Sequence, residues 1–500
     1  SSMTIRSGHR AMPFFKMLYV CLVLLAFSVS LSAQASEGTN PWTAQAEAAF
    51  STFNVDRQIV PDRYLTYALD ESTLRPLLRN APLRFSPQAA EEETVLQLPM
   101  ADGSLERFRV YYAPVLAPGL AARFPNIRSY AGVGIDDPTA SVRLDLTPAG
   151  FHGMILSARH STVFIDPYAV ADTEHYIVYY KKDFTNADPS FACHTTEEVA
   201  DRGRDGSLLD GPARSLLQGD CRLRTYRLAL TCTGEYAQFH GGTVEGVLAA
   251  MNTSMTRVNG VFERDVNATM EIVENNDLLL FLDPETDPYE DGSPGQMIGE
   301  CHNQCVAIIG SDNFDIGHIF STQGGGLAGL GVICSPNRKG NGVTGINNPV
   351  GDPFDIDYVA HELGHQYGAG HTQNNNCNRS GPSSMEPGSA STIMGYAGIC
   401  SPNVQSNSDD YFHAISIQQM SNYINNGNGN NCAVFTETGN TPPTVAEVNN
   451  YVLPVSTPFQ LTAVGQDTDG DALTYCWEQM DNEVGNMPPQ STNTQGPAFR

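Results

Sequence analysis

The run His361-Glu362-Leu363-Gly364-His365-Gln366-Tyr367-Gly368-Ala369-Gly370-His371 constrains this chain most. Two histidines four residues apart share a face only if the backbone is helical, so a helix is expected from about Ile356 to Tyr367. Gly368 then permits a sharp change of direction that brings His371 round as a third nitrogen ligand. Glu362 projects beside the pair, placed to take a proton without itself being a ligand. Three imidazoles with one open position describe a catalytic zinc site. The rival reading, a helix with surface histidines and a glycine-rich end, needs Gly368 and His371 to stand at their offsets by coincidence.

The surrounding sequence reads as a mixed domain. Tyr226–Leu230 predicts a strand, and Val244, Val247, Leu248, Met251, Met255, Val258 and Phe262 recur at helical spacing, with both methionines as core. Strands are expected near Met270–Val273, Val306–Ile309 and Ala328–Ile333. This order predicts an α/β (α+β) fold with a sheet and a helix carrying the histidines. At 500 residues the chain is too long for one compact domain. Upstream, Arg107–Tyr112 and Ser141–Leu146 alternate as strands with one buried face, which predicts a β-rich domain over 36–220. With 55 acidic against 28 basic residues, net charge −27, the chain lacks the basic face that nucleic-acid binding requires. Gly324-Gly325-Gly326 lacks the following Lys-Ser/Thr of a phosphate cradle.

His361–His371 matches the long zinc signature of the metzincin metallopeptidases. Ser391-Thr392-Ile393-Met394-Gly395-Tyr396 resembles their Met-turn, and Gly326-Leu327-Ala328-Gly329-Leu330-Gly331-Val332-Ile333-Cys334 is similar to the cleft strand of reprolysin (adamalysin) enzymes. The resemblance covers about 221–434 and looks closest to secreted bacterial reprolysin-like peptidases. It implies one Zn2+ held by His361, His365 and His371, Glu362 as general base toward a zinc-activated water, and peptide or protein substrates. It also implies Met394 and Gly368 as structural parts of the site, and Gly326, Leu327 and Ala328 as the edge that holds the substrate. One departure stands out: reprolysins carry Pro shortly after the Met-turn methionine, where this chain has Tyr396. A tyrosine there resembles astacins and serralysins, in which it ligates the resting zinc; otherwise Tyr396 packs in the turn.

The resemblance makes 36–220 a propeptide, cut near Arg202–Arg224, that inhibits its own enzyme. Cys193, the one cysteine of that region, then resembles a cysteine switch whose thiolate fills the open zinc position; the alternatives are an unpaired thiol or a disulfide. Arg6, Arg10 and Lys16 before the apolar run Met17–Phe27, ending in Ala33-Gln34-Ala35, predict a secretory signal over 1–35 and export with no transmembrane anchor. Export makes disulfides plausible, and the eight cysteines Cys221, Cys232, Cys301, Cys305, Cys334, Cys377, Cys400 and Cys432 fit up to four, Cys301 and Cys305 included. After a linker at 435–443, residues 444–500 resemble the truncated start of an immunoglobulin/PKD-like β-sandwich with Trp477 inside, a module suited to cell-surface association. Asp467, Asp469 and Asp471 there offer oxygen ligands suited to Ca2+, or form a solvated acidic turn. The expected protein is therefore multidomain: a secreted zinc metalloendopeptidase made as a zymogen. The alternative from another class is an adhesin or matrix-binding protein with a non-catalytic peptidase-like domain.

Overall fold

The period-two alternation of the N-terminal half folds as sheet. Trp42–Ala44 (β1), Leu65–Leu69 (β2), Val95–Pro99 (β3), Leu105–Tyr112 (β4), Arg128–Gly134 (β5), Ser141–Thr147 (β6), Gly150–Leu156 (β7), Val163–Pro167 (β8) and His175–Tyr180 (β9) pair in the order β1-β2-β9-β8-β7-β6-β5-β4-β3, antiparallel throughout. The computed structural model describes residues 37–50, 56–184, 191–195, 219–446, 448–454, 456–485, 487–488, 490 and 492–499. The expected signal at 1–35, and the part of the expected cleavage stretch that spans 202–218, lie outside these.

On β4 the alternation produces one buried face, with Phe108 and Val110 inside and Arg107 and Arg109 half-buried. On β6 the expectation of one buried face fails, because residues 142–147 are all buried. Val142, Leu144 and Leu146 pack in the N-terminal core. Arg143 and Asp145 point the other way and meet the helix Val244–Val266 (α1), which lies across β5 and β6. Arg143 and Arg84 both bond Glu263 of α1 there, and Asp145 accepts from Thr253 at 3.2 Å. A polar face is thus buried by pairing with a second layer that local alternation cannot reveal.

That second layer is a mixed sheet. Arg222–Cys232 (β10) pairs parallel with Ala268–Ile272 (β11) and with Ile316–Ser321 (β12); Gly342–Gly345 (β14) continues parallel to β12, and Gly325–Ala328 (β13) closes the edge antiparallel to β14. Val434–Glu437 (β15) pairs antiparallel with β10, so the expected linker at 435–443 begins inside the sheet. Val306–Ile309, expected as a strand, is the end of the helix Pro294–Ile308 (α2), whose Met297, Cys301 and Cys305 line its buried face at four-residue spacing. A short apolar run does not distinguish the two. The strand expected over 328–333 stops at Ala328, because the next N–H groups turn away: Gly331 and Val332 donate to the carbonyls of His365 and Gln366, each at 2.9 Å.

The two layers share one apolar core in which Phe50, Met154, Tyr179 and Phe191 pack with Tyr226, Met251, Met255 and Phe262. The N-terminal layer also covers both edges of the mixed sheet. Ile272 of β11 donates to Val115 at 2.7 Å and accepts from Ala117 at 2.9 Å, while Cys193 bridges Gly326 of β13. Unpaired sheet edges are thereby satisfied from within the chain.

The cysteines and the C-terminal segment depart from expectation in part. Of the eight candidate cysteines, Cys334–Cys432 and Cys377–Cys400 are disulfides, whereas Cys221, Cys232, Cys301 and Cys305 remain thiols. Cys232, Cys301 and Cys305 are buried and act as small core groups. Among the described residues of 444–500, strand pairing is confined to Thr444–Val445 (β16) with Gly465–Gln466 (β17). A sandwich buries the inner faces of two sheets over roughly 100 residues; here Trp477 is 43% exposed rather than internal. Asp467 caps its own turn, its Oδ1 accepting from the N–H of Asp469 and Asp471, and Asp469 accepts from Thr441. No helix among the described residues is long and apolar enough to cross a membrane.

Glu263 is opposed by burial, but the Arg143 and Arg84 charges outweigh it and lower its carboxyl from an ordinary 4.5 to about 2. A depressed pKa contributes stability that is full above the unfolded value and lost as pH falls toward the folded one. The full chain should therefore lose on the order of 3 kcal/mol between about pH 4.5 and pH 2 through this group. Urea titrations across that window should show Glu263→Gln with a shallower acid limb than the parent; parallel curves would reject the assignment.

Candidate metal centre

The site is built on local helix geometry. Pro353–Val359 forms a π-helical segment that runs on into the α-helix Ala360–Gln366 (α3), which carries His361, Glu362 and His365, all buried. The helix ends where Gly368 takes φ +104°, a conformation unfavourable for side-chain-bearing residues, and the chain folds back to present His371. The segment containing Met394 turns beneath the helix. The Met394 sulfur packs against the open face of Gly364, and Met394 O accepts from Thr372 at 3.0 Å.

Each imidazole is oriented by a backbone carbonyl on its Nδ1. His361 meets Ile393 O at 2.7 Å, His365 meets Ala369 O at 2.7 Å and His371 meets Asn378 O at 2.8 Å. A carbonyl can only accept, so each ring carries its proton on Nδ1 and turns the Nε2 lone pair inward. The inward atoms converge: His365 Nε2 lies 3.1 Å from His371 Nε2 and 3.5 Å from Cys193 Sγ. One ligand atom from each of Cys193, His361, His365 and His371 falls within 4.8 Å of the others, and all four residues are buried.

This donor set fits a divalent metal. His361 Nε2 and both Glu362 oxygens are buried without a hydrogen-bond partner. Burial pushes Glu362 up to about 8 and lowers His361 to about 4, while burial and then the Glu362 charge raise the Cys193 thiol well above its usual value. Three inward imidazole lone pairs and a thiol in one buried cluster suit a divalent cation, and soft sulfur with three imidazoles suits zinc.

The segment carrying Cys193 lies along β13 in parallel. Gly326 N–H donates to Ala192 O at 3.0 Å and His194 N–H to Gly326 O at 2.8 Å; Ala328 N–H donates to Thr195 Oγ1 at 3.0 Å. Gly326 is required by close approach, since a Cβ there would stand 1.9 Å from Glu362 Oε1. Leu327 is buried on β13 between them. Tyr396 donates its hydroxyl to Cys193 O at 3.1 Å, with its ring 4.8 Å from that of His371. Two residues escaped the sequence reading. Asn378 holds His371 through its carbonyl and donates from Nδ2 to Cys193 O at 2.8 Å. Phe191 stacks on Tyr358 at 3.7 Å and lines a small slot together with His361, Tyr396 and Ile399. Only the proximity of Asn378 to Cys377 marks it in the sequence, and nothing marks Phe191. Asp467, Asp469 and Asp471 are not brought to this centre.

Gly326→Ala should destabilise the full chain by about 1–3 kcal/mol through overpacking against a buried helix side chain. Denaturant midpoints measure it; an unshifted midpoint would show that Glu362 can move aside freely.

Residues 222–424 match the sequence profile of metallo-peptidase family M12B, reprolysin-like. No curated protein sequence gives a significant match to the chain. The profile ends after the Met394 turn and within the helix Ala414–Asn426 (α4), so it encloses the three histidines, the β13 edge and strands β10 to β14. Residues 222–424 are therefore similar to a reprolysin-like metallopeptidase domain, and the cluster they carry could hold a metal ion.

Proposed function

We propose that the chain is a latent, exported zinc metalloendopeptidase whose N-terminal layer is an inhibitory propeptide. The observation that carries this reading is the Cys193 sulfur among three inward imidazole nitrogens, on a strand laid along β13. His361, His365 and His371 would hold the zinc and Cys193 would take the remaining position, so that water and substrate are excluded. When bound, the zinc supplies Lewis acidity that polarises a carbonyl and eases deprotonation of water.

The chain's own residues account for the other demands of peptide hydrolysis. With Cys193 withdrawn, the β13 backbone groups at Gly326 and Ala328 that now bond Ala192, His194 and Thr195 become free to hold an extended substrate, with Leu327 between them. Glu362, buried beside the histidines with both oxygens unpaired, receives the proton of the attacking water and delivers it to the leaving amine. Tyr396 loses Cys193 O as its acceptor, and its hydroxyl is then available to the developing oxyanion. Gly368 and Met394 keep the ligand geometry. Disulfides support an extracellular setting, with export directed by residues 1–35. The intact histidine set speaks against the non-catalytic adhesin reading.

Cys193→Ser in the full chain should raise hydrolysis of a quenched peptide library by at least about tenfold, since an alcohol is a poor zinc ligand. Unchanged latency sinks the switch. Adding Glu362→Gln to that variant should cut the rate by roughly 10²–10⁴ while bound zinc stays at one ion per chain. Full zinc with undiminished cleavage would remove Glu362 from the role of base.

A further inference from the structure

Lys181, at the end of β9 in the N-terminal layer, is buried inside the metallopeptidase domain, where its ammonium is surrounded by three carboxylates. Nζ lies 3.0 Å from Asp352 Oδ1, 3.2 Å from Asp357 Oδ1 and 2.5 Å from Asp410 Oδ1. All four side chains are at least nine-tenths buried. One ammonium cannot neutralise three carboxylates, and Asp410 keeps Oδ2 buried with no hydrogen-bond partner. Arg264, which lines the adjoining cavity, is committed to Asp265 and to the backbone carbonyl of Asp410. Asp357 is further oriented by the N–H and hydroxyl of Ser408. The three acids come from the metallopeptidase domain alone: Asp352 and Asp357 lie on the segment leading into α3, and Asp410 on the loop after the Met394 turn.

We propose that Asp352, Asp357 and Asp410 form a calcium site of the mature enzyme, held in the full chain by the Lys181 ammonium as a tethered stand-in. The proposal rests on the reading of the N-terminal layer as a removable propeptide. When that layer leaves, Lys181 leaves with it, and the three carboxylates face one point with only Arg264, already bonded to Asp265 and to the Asp410 carbonyl, as a neighbouring cation. Three converging carboxylates that lose their shared ammonium repel one another, which a bound cation would offset. The donors are hard oxygens, the class that selects calcium over zinc. Drawing them from about 3 Å around nitrogen to the 2.3–2.6 Å of calcium needs a contraction of well under 1 Å in side chains borne by two separate segments. A cavity of about 440 Å³ lined by Lys181, Ser408 and Asp410 adjoins the cluster and gives an ion and its remaining waters room to enter. Calcium there would tie the approach to the zinc-bearing helix to the loop after the Met394 turn, doing in the mature domain what Lys181 does in the precursor.

The test uses the full chain and calcium alone. Lys181→Ala should bind one more Ca2+ than the parent, with a Kd of about 10⁻⁴ M or tighter. Calcium should raise the Tm of that variant and leave the parent unmoved, and Asp410→Asn added to Lys181→Ala should abolish the extra ion. If Lys181→Ala does not fold in chelator, calcium-dependent refolding, or calcium uptake by Lys181→Gln, supports the site equally. Equal calcium content in parent and both variants, with no calcium effect on Tm or refolding, overturns it. Latency is read separately through Cys193→Ser, so failure of the calcium site and failure of the zymogen reading give different results.

Discussion

The three carbonyl contacts at Nδ1 of His361, His365 and His371 are the constraint on which the site depends. They come from three places: Ile393 in the Met394 turn, Ala369 in the turn after the helix, and Asn378 in the loop bracketed by the Cys377–Cys400 disulfide. Each fixes a tautomer as well as a ring orientation, so the inward lone pairs are set before any metal arrives. The surrounding fold can be understood as what is needed to hold those carbonyls still. The 331–332 backbone closes the end of the helix, and Met394 packs against Gly364.

The N-terminal layer is more than a cover over this site. It completes both edges of the mixed sheet, shares its apolar core and supplies partners for charges that the metallopeptidase domain buries. Glu263 is matched by Arg84 and Arg143, Arg257 by Asp166 as well as Asp355, and the Asp352, Asp357 and Asp410 carboxylates by Lys181. Breaking one side of such a pair leaves a charge in a poor solvent, so the interface couples the folding of the two layers. A contact through Cys193 alone would not create that dependence.

Much of the site was legible in the sequence because its geometry is local. His361 and His365 are one helical turn apart, Gly368 forces the next bend, and His371 follows within a few residues. Cys193 was legible only as a lone thiol in the right half of the chain; its partner could be named from the open ligand position, but not its parallel register on β13. The misread elements have a common origin. Val306–Ile309 and Ala328–Ile333 are short apolar runs whose state is set by neighbours, the first by the buried face of α2 and the second by the need to cap α3. Arg143 and Asp145 were assigned to solvent by alternation because nothing in β6 announces the helix that covers them.

By itself the sequence determined the donor set: residue types and spacings that one helix and one glycine turn convert into three converging nitrogens. Tertiary structure alone decided what stands opposite them. The Cys193 sulfur, the Asn378 bridge, the Phe191 slot and the Lys181 cluster all join residues far apart in the chain, and no local periodicity encodes such pairings. Helical spacing is a property of the backbone over one or two turns, whereas compensation of buried charge depends on which surfaces the whole chain brings together.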